Sequence, residues 1–340
     1  MKIAVIDPIN QDIGLNILFP NADYYHMITE LDKSASYQRH TITPLENLNE
    51  ITDAKYDTLF VLFSLYDCFK TYNNEPNRFY KEHYDVLLDR VIDIINKNDF
   101  KHIAMFDNYD YDYDPNILYE YKLISKPMTF FKRNYNKTKE YKDNVVAFPF
   151  IMFGQNSLIH FTGEAVRRIC EEPAPLLNTI NTVFFSGNLF THIDPVYDCF
   201  RCRKTALYNI LNSPRYAGEI EHKHNMPHDV YMREMAKHRF ALDLNGVGDP
   251  NRRTFEIFAA GSLRIAQRND LEWTFDEADD FCEETYFTNE NDFFDKIQRL
   301  RTDTALYNKC IERQNQLITN YMNPDRLRTY IIAHIEYHKQ

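Results

Sequence analysis

The chain has no surplus of positive charge, no long apolar run and no cysteine framework, and each shortage removes a class of protein. Its 39 Lys and Arg are outnumbered by 50 Asp and Glu, for a formal net charge of −11. A general nucleic-acid binder, or a protein that lies on an anionic membrane, needs a basic surface. Neither is expected here, although a local basic pocket is compatible with this balance. No apolar stretch approaches the ~20 residues of a membrane-spanning helix. The chain enters a strand directly at Lys2–Ile6 without an apolar leader, so a soluble, cytoplasmic protein with no transmembrane segment is expected. The six cysteines, at 68, 170, 199, 202, 282 and 310, include one C-x-x-C, Cys199 to Cys202. A structural zinc site needs a second ligand pair at suitable spacing, and the sequence supplies none; reduced, incidental thiols are expected. A single Trp accompanies 24 Tyr and 25 Phe, a bias read as composition rather than function.

What is present is an alternation of strands and helices in a chain of 340 residues, enough for two domains. Strands are expected at Ile3–Ile6, Thr58–Leu65, Ile103–Phe106, Met128–Phe131 and Val145–Phe150. A helix over Tyr80–Asn96 puts Val86, Leu87, Val91, Ile94 and Ile95 on one side. The continuous apolar run at Thr58–Leu65 is typical of a fully buried parallel strand. The pattern restarts with a strand at Thr182–Phe185, helices over Arg203–Leu211 and Val230–His238, and a strand at Phe240–Leu244. The stretch Glu171–Pro175, acidic and proline-containing, is the expected boundary. A helical region from about Asp292 runs to His338, with a kink expected at Pro324. The alternation implies parallel sheets with helices on both faces.

The most informative stretch is Lys237–Gln267. Its strand ends in a turn through Asn245, Gly246 and Gly248, then Asp249 and Pro250. A short helix follows with Arg252, Arg253, Thr254 and Glu256 in its first turns, closed by Ala259-Ala260-Gly261 before a strand at Leu263–Ala266. A glycine turn between a strand and a helix N-terminus presents free N–H groups and the positive end of the helix dipole to an anion. Arginines there add charge-assisted bonds to phosphate oxygens. A glutamate one turn on suits a ribose hydroxyl pair, because a carboxylate only accepts hydrogen bonds. The expected ligand is a nucleoside diphosphate group. Against this, adjacent arginines point about 100° apart on a helix, so one of them serves solubility, and Glu256 equally suits an i,i+3 ion pair with Arg253.

Arg253-Thr254-Phe255-Glu256 followed by Ala259-Ala260-Gly261-Ser262 resembles the R-x-F-E-x-x-A-x-G pattern of the C-terminal domain of group 1, GT-B type glycosyltransferases, including the CgeB-like branch. The resemblance continues through Thr288-Asn289-Glu290-Asn291 with Phe293, Phe294 and Ile297. It ends at Arg326 and Arg328, where the family's accompanying His is absent, and spans roughly residues 180–335. It implies an α/β, GT-B chain of two Rossmann-like domains facing each other across a cleft. Residues 1–172 would bind acceptor, 173–322 would bind the nucleotide-sugar, and a C-terminal helix, 323–340, would pack back on the first domain. The implied activity is sugar transfer from a nucleotide-sugar, with UDP or GDP as the nucleotide, to a hydroxyl on a glycan, lipid or protein-linked acceptor, without a required metal or cofactor. Gly187, Arg201, Arg203, Lys204, Asn245, Gly246, Gly248, Arg252, Arg253, Thr254 and Glu256 are the implied donor-binding residues. Three cations at the start of the Arg203–Leu211 helix oppose its dipole unless an anion is present; the alternative is a solvated basic face.

Retaining members of the family carry two glutamates eight positions apart, and the earlier position here is Gly248. Its neighbour Asp249 is either a substitute acid or a helix N-cap. An inverting enzyme takes its base from the first domain, at the carboxyl ends of strands. Asp7, Asp67 and Asp107 stand there, Asp7 first because Pro8 and the loop to Gly14 resemble an acceptor-facing loop; each also serves as an ordinary turn residue. Two other readings compete. Asp107, Asp110, Asp112 and Asp114 make overlapping D-x-D triplets, which in GT-A enzymes hold a divalent metal against the donor, or else form a soluble surface loop. The chain is alternatively a non-catalytic scaffold that keeps the fold. His222, His224 and His228 are placed in a loop before the next helix, and Tyr231 packs against either a nucleotide base or the core.

Overall fold

In the computed structural model the described residues are 1–7, 15–26, 45–62, 89–107, 124–133, 135–148, 179–187, 198–223, 226–245, 252–268, 283–321 and 323–337. The chain divides into two compact units, Met1–Asn156 with Pro324–Gln340, and Ser157–Asn323.

The first unit holds six parallel strands: β1 (Ile3–Asp7), β2 (Asp23–His26), β3 (Thr58–Leu62), β4 (His102–Asp107), β5 (Thr129–Lys132) and β6 (Val145–Ala147). Their order across the sheet is β2-β1-β3-β4-β5-β6. Every residue of β3, β4 and β5 is buried, as central strands covered on both faces require. Phe60, Phe106, Phe131 and Phe148 touch ring to ring between strands, with Phe106 and Phe131 stacked at 4.8 Å. The phenylalanine bias therefore fills this core, each buried ring contributing about 1.5–3 kcal/mol. On the other sheet face Leu59, Val61, Val91, Ile95 and Met105 form one apolar cluster.

The last helix, Pro324–Tyr337, belongs to this first unit. Pro324 is its first residue, where a missing N–H is harmless; the helix starts afresh there rather than kinking. Leu327, Ile331 and Ile335 are buried. Tyr330 donates its hydroxyl to the Ala147 carbonyl at 2.7 Å, and Arg328 donates to the Leu18 carbonyl. The His102 ring meets the Ile335 carbonyl at 3.1 Å.

The second unit repeats the topology. Strands β7 (Ile180–Ser186), β8 (Ile220–Lys223), β9 (His238–Asp243), β10 (Leu263–Gln267) and β11 (Tyr286–Phe287) are parallel, in the order β11-β10-β9-β7-β8. Numbered within the unit this is 2-1-3-4-5, the order of the first five strands of the first unit. The α/β class with two Rossmann-like sheets is thus what the chain adopts. The helices of this unit include Asp198–Leu211, His228–Met235, Arg252–Ala260, Glu290–Thr302 and Thr304–Tyr321. Gly261 ends the Arg252–Ala260 helix at φ 75°, its N–H bonded to the Phe258 carbonyl. This left-handed turn favours glycine.

Two expectations need correction. The helix expected from Arg203 is present from Asp198, so Arg203 and Lys204 lie past its first turn and only Arg201 remains within it. His222 sits in strand β8, in register with Phe185, and not in a loop. An edge strand reading Ile-Glu-His-Lys carries no apolar alternation to announce it.

Candidate functional site

In an open parallel sheet, ligands bind outside the carboxyl ends of the strands where neighbouring connections depart in opposite directions. In the second unit that point lies between β7 and β9. The chain leaves β7 for the edge strand β8 and leaves β9 for β10 on the other side. The end of β7 brings Gly187; the end of β9 brings Asp243, Leu244 and Asn245, followed after 246–251 by the Arg252–Ala260 helix.

Gly187 and Arg253 meet here. The Arg253 guanidinium carbon lies 5.0 Å from the centre of the Phe185 ring. A Cβ placed on Gly187 would stand 2.7 Å from Arg253 Nη2 and 3.3 Å from the Phe185 ring. A side chain at this position would have to displace the end of the Arg253 side chain; no unusual backbone conformation calls for the glycine. On its other contact Phe185 meets the His222 ring at 5.2 Å. Arg253 is half-buried and Glu256, one turn on, is 6% exposed. Burial first, and then the nearby Glu256 charge, push the Tyr231 phenol above its ordinary value.

Thr254 turns inward. It is fully buried, and its hydroxyl donates to Asp243 Oδ2 at 2.7 Å. The same oxygen accepts from Arg264 Nε at 2.6 Å. Arg264 donates further to the Tyr286 hydroxyl, and its backbone N–H reaches Gln314, which in turn donates to the Ser262 carbonyl. Burial alone would lower the proton affinity of Arg264, but the charges and hydrogen bonds of Asp243 and Tyr286 together outweigh it and raise the value. The network fastens the start of the helix to the ends of β9 and β10. Asn245 is clipped likewise: its N–H donates to Gln267 Oε1 at 3.3 Å and its side-chain amide to the Arg268 carbonyl.

Asp243 and Arg264 were absent from the sequence expectations. A signal existed. Asp243 pairs with Ala266 across the sheet and Arg264 with Ala241, so the acid and the base stand diagonally on one face of adjacent strands. A lone arginine in Leu-Arg-Ile-Ala needs such a partner once buried.

Other expected site residues are placed more sparsely. Gly246, Gly248 and Asp249 lie outside the described residues, as do Asp67, Asp110, Asp112, Asp114 and His224. Arg252 begins its helix, and Arg201, Arg203 and Lys204 lie in the Asp198–Leu211 helix; only their backbone positions are described. Asp7 is the last residue of β1, at the point between β1 and β3 that corresponds to the β7–β9 crevice. Asp107, at the end of β4, is fully buried, with Oδ2 3.3 Å from the Nζ of an equally buried Lys132.

Two Rossmann-like sheets of one topology, the second with an arginine, a glycine and a buried glutamate gathered at its switch point, define an α/β protein built from two similar units. Residues 201–332 match the family model described as "Glycosyl transferase-like". Among solved structures the chain is similar to a T4 phage beta-glucosyltransferase with UDP and Mn2+ (14% identity, TM-score 0.48) and to a mutant of that enzyme with UDP-glucose (13%, TM-score 0.49). Each alignment covers 99% of this chain and 100% of the other. No curated protein matches by sequence.

Proposed function

We propose that the chain is a glycosyltransferase that moves a sugar from a nucleotide-sugar, with UDP or GDP as its nucleotide, to a hydroxyl acceptor. The observation that carries this reading is the meeting of Gly187 and Arg253 outside the carboxyl ends of β7 and β9, with Glu256 one turn further along the same helix. A phosphate held there would take charge-assisted hydrogen bonds from Arg253 and N–H groups from the helix start. Glu256 would accept from the ribose hydroxyls. Thr254, whose hydroxyl is spent on Asp243, contributes by seating the helix. Arg201, Arg203, Lys204, Asn245, Gly246, Gly248 and Arg252 complete the proposed donor surface. Residues 1–172 would bind acceptor and 173–322 donor, with Asp7 the base that takes the acceptor proton. The leaving diphosphate would be stabilised by cations and N–H groups, without a fixed metal.

The test is turnover of a panel of nucleotide-sugars, with glycan, lipid, protein and duplex DNA acceptors, in the presence of a chelator. Donor hydrolysis or transfer that persists in EDTA is expected. Activity lost in EDTA and restored by manganese would replace this mechanism with the metal-dependent one through Asp110 and Asp112, and binding without any turnover would leave a scaffold.

Three substitutions probe the donor surface by isothermal titration. Arg253→Ala is expected to weaken nucleoside diphosphate binding by about 1.5–3 kcal/mol, the scale of a charge-assisted hydrogen bond. Unchanged affinity in a folded variant would remove Arg253 from the phosphate. Gly187→Ala is expected to push the guanidinium off Phe185 and weaken the same ligand about tenfold, with the fold intact. Glu256→Gln is expected to reduce affinity for nucleoside diphosphates while leaving inorganic pyrophosphate unaffected; equal losses would reject the ribose contact.

A further inference from the structure

Two arginines of the second unit meet at the amino ends of its strands, away from the donor crevice. Asn181, the second residue of β7, accepts from both: Arg239 Nη1 reaches its Oδ1 at 2.9 Å, and Arg301 Nε reaches its main-chain carbonyl at 3.0 Å. Arg239 stands on β9, and Arg301 in the last turn of the Glu290–Thr302 helix. The Arg239 guanidinium carbon lies 4.0 Å from the centre of the Tyr307 ring, whose hydroxyl donates to the Arg239 carbonyl at 3.3 Å. Both arginines are half-buried, and their bonds to one residue hold like charges side by side. Among the described residues neither makes an ion pair with a carboxylate. Glu219 comes near, but its Oε2 accepts from the Ala217 N–H at 2.7 Å. Burial lowers the proton affinity of Arg301; the Glu219 charge opposes this and the Arg239 charge adds to it.

A helix C-terminus favours one cation, Arg301, and leaves the second one fixed beside it unexplained. A guanidinium carries five N–H donors and no acceptor, and Asn181 takes one donor from each arginine. With both of its oxygens turned to the arginines, the Asn181 amide has its NH₂ left as a further donor. Adjacent guanidinium charges repel, more strongly where water is partly excluded. An oxyanion bonded to both removes that repulsion and gains charge-assisted hydrogen bonds. We propose that Arg239, Arg301 and Asn181 form a second anion site, for a phosphate group, at the amino ends of β7 and β9. Guanidinium forks match phosphate oxygens two at a time. The length of β7, roughly 20 Å at ~3.3 Å per residue, separates this site from Gly187 and the donor crevice. A net charge of −11 disfavours a long polyanion, so the ligand is free phosphate or a small phosphorylated molecule held by the same group. This site stands whether or not the donor reading does.

The experiment titrates inorganic phosphate, and separately glycerol 3-phosphate, into the full chain at constant ionic strength set with chloride, with near-UV circular dichroism as the check on folding. Arg253→Ala serves as the background, because it weakens the donor crevice and leaves the arginine pair intact. One phosphate is expected to remain bound there. Adding Arg301→Gln is expected to lower its affinity about tenfold or more, the loss of a charge-assisted bond, and Arg239→Gln to do the same. Arg301→Lys keeps the charge but not the fork, and is expected to bind more weakly than Arg301. Where Arg239→Gln fails to fold, the two Arg301 variants carry the test. Phosphate is also expected to raise the melting temperature of the Arg253→Ala chain, as any ligand of the native state does, and not that of Arg253→Ala with Arg301→Gln. Tighter binding of glycerol 3-phosphate than of phosphate would assign the site to a small phosphorylated molecule, and equal binding to the free ion. No phosphate bound in Arg253→Ala, or equal affinity with and without Arg301→Gln, would overturn the proposal. Unchanged UDP and GDP affinity in Arg253→Ala would count against the donor reading alone, since the second site is read from its own substitutions.

Discussion

Arg264→Met is expected to destabilise the protein by about 3–5 kcal/mol, the scale for removing one member of a buried ion pair. Asp243 is 3% exposed and Arg264 6%. Without the guanidinium, Asp243 keeps only the Thr254 hydroxyl on Oδ2, while Oδ1 is buried with no hydrogen-bond partner. A carboxylate in that state must either remain charged without compensation or take up a proton, and both are unfavourable. Urea denaturation of the wild type, of Arg264→Met and of the Arg264→Met, Asp243→Asn double variant separates the contributions. The double variant should recover a large part of the loss, since a neutral amide tolerates the apolar neighbour far better than a carboxylate does. A single-variant loss below about 1 kcal/mol would mean that water reaches the pair.

The same substitution bears on function through Thr254. The Asp243 carboxylate holds both Thr254 and Arg264 on one oxygen, so the seat of the Arg252–Ala260 helix and the stability of the β9–β10 pair are one feature. Nucleotide affinity and stability are therefore expected to fall together in Arg264→Met, whereas Arg253→Ala should change affinity alone.

How much of this was legible before the structure follows from which strands the sheets bury. Central strands β3, β4, β9 and β10 have apolar runs because both faces are covered, and each was readable. The missed strands are β2, β8 and β11, with sequences Asp-Tyr-Tyr-His, Ile-Glu-His-Lys and Tyr-Phe. All three lie at sheet edges, where a half-covered strand tolerates polar residues and leaves a weak pattern. Missing β2 and β8 hid the repeated 2-1-3-4-5 order and with it the two switch points. The proposed donor motif stood out in the sequence because its residue types would answer to ligand chemistry. What sequence reading could not supply was the inward turn of Thr254 onto Asp243. It depends on the packing of one helix against its neighbours, which no spacing along the chain encodes.

Asp107 is where the sequence argument and the packing diverge most, and Lys132→Met is expected to show it with a loss of about 3–5 kcal/mol in stability. The two residues are register partners at the ends of β4 and β5, with both side chains 0% exposed. Position at a strand end made Asp107 a candidate base, but a base must reach the proton it removes. This carboxylate is enclosed, with Oδ2 3.3 Å from the Lys132 ammonium. Asp7, at the β1–β3 switch point, has the topological position that Asp107 lacks. Replacing both charges, as Lys132→Met with Asp107→Leu, should restore much of the stability lost in Lys132→Met alone. Under the proposed mechanism the folded double variant keeps sugar transfer and Asp7→Asn abolishes it. The reverse pattern, a folded double variant without turnover and an active Asp7→Asn, would return the proton-abstracting role to Asp107 and move the acceptor to the far side of that sheet edge.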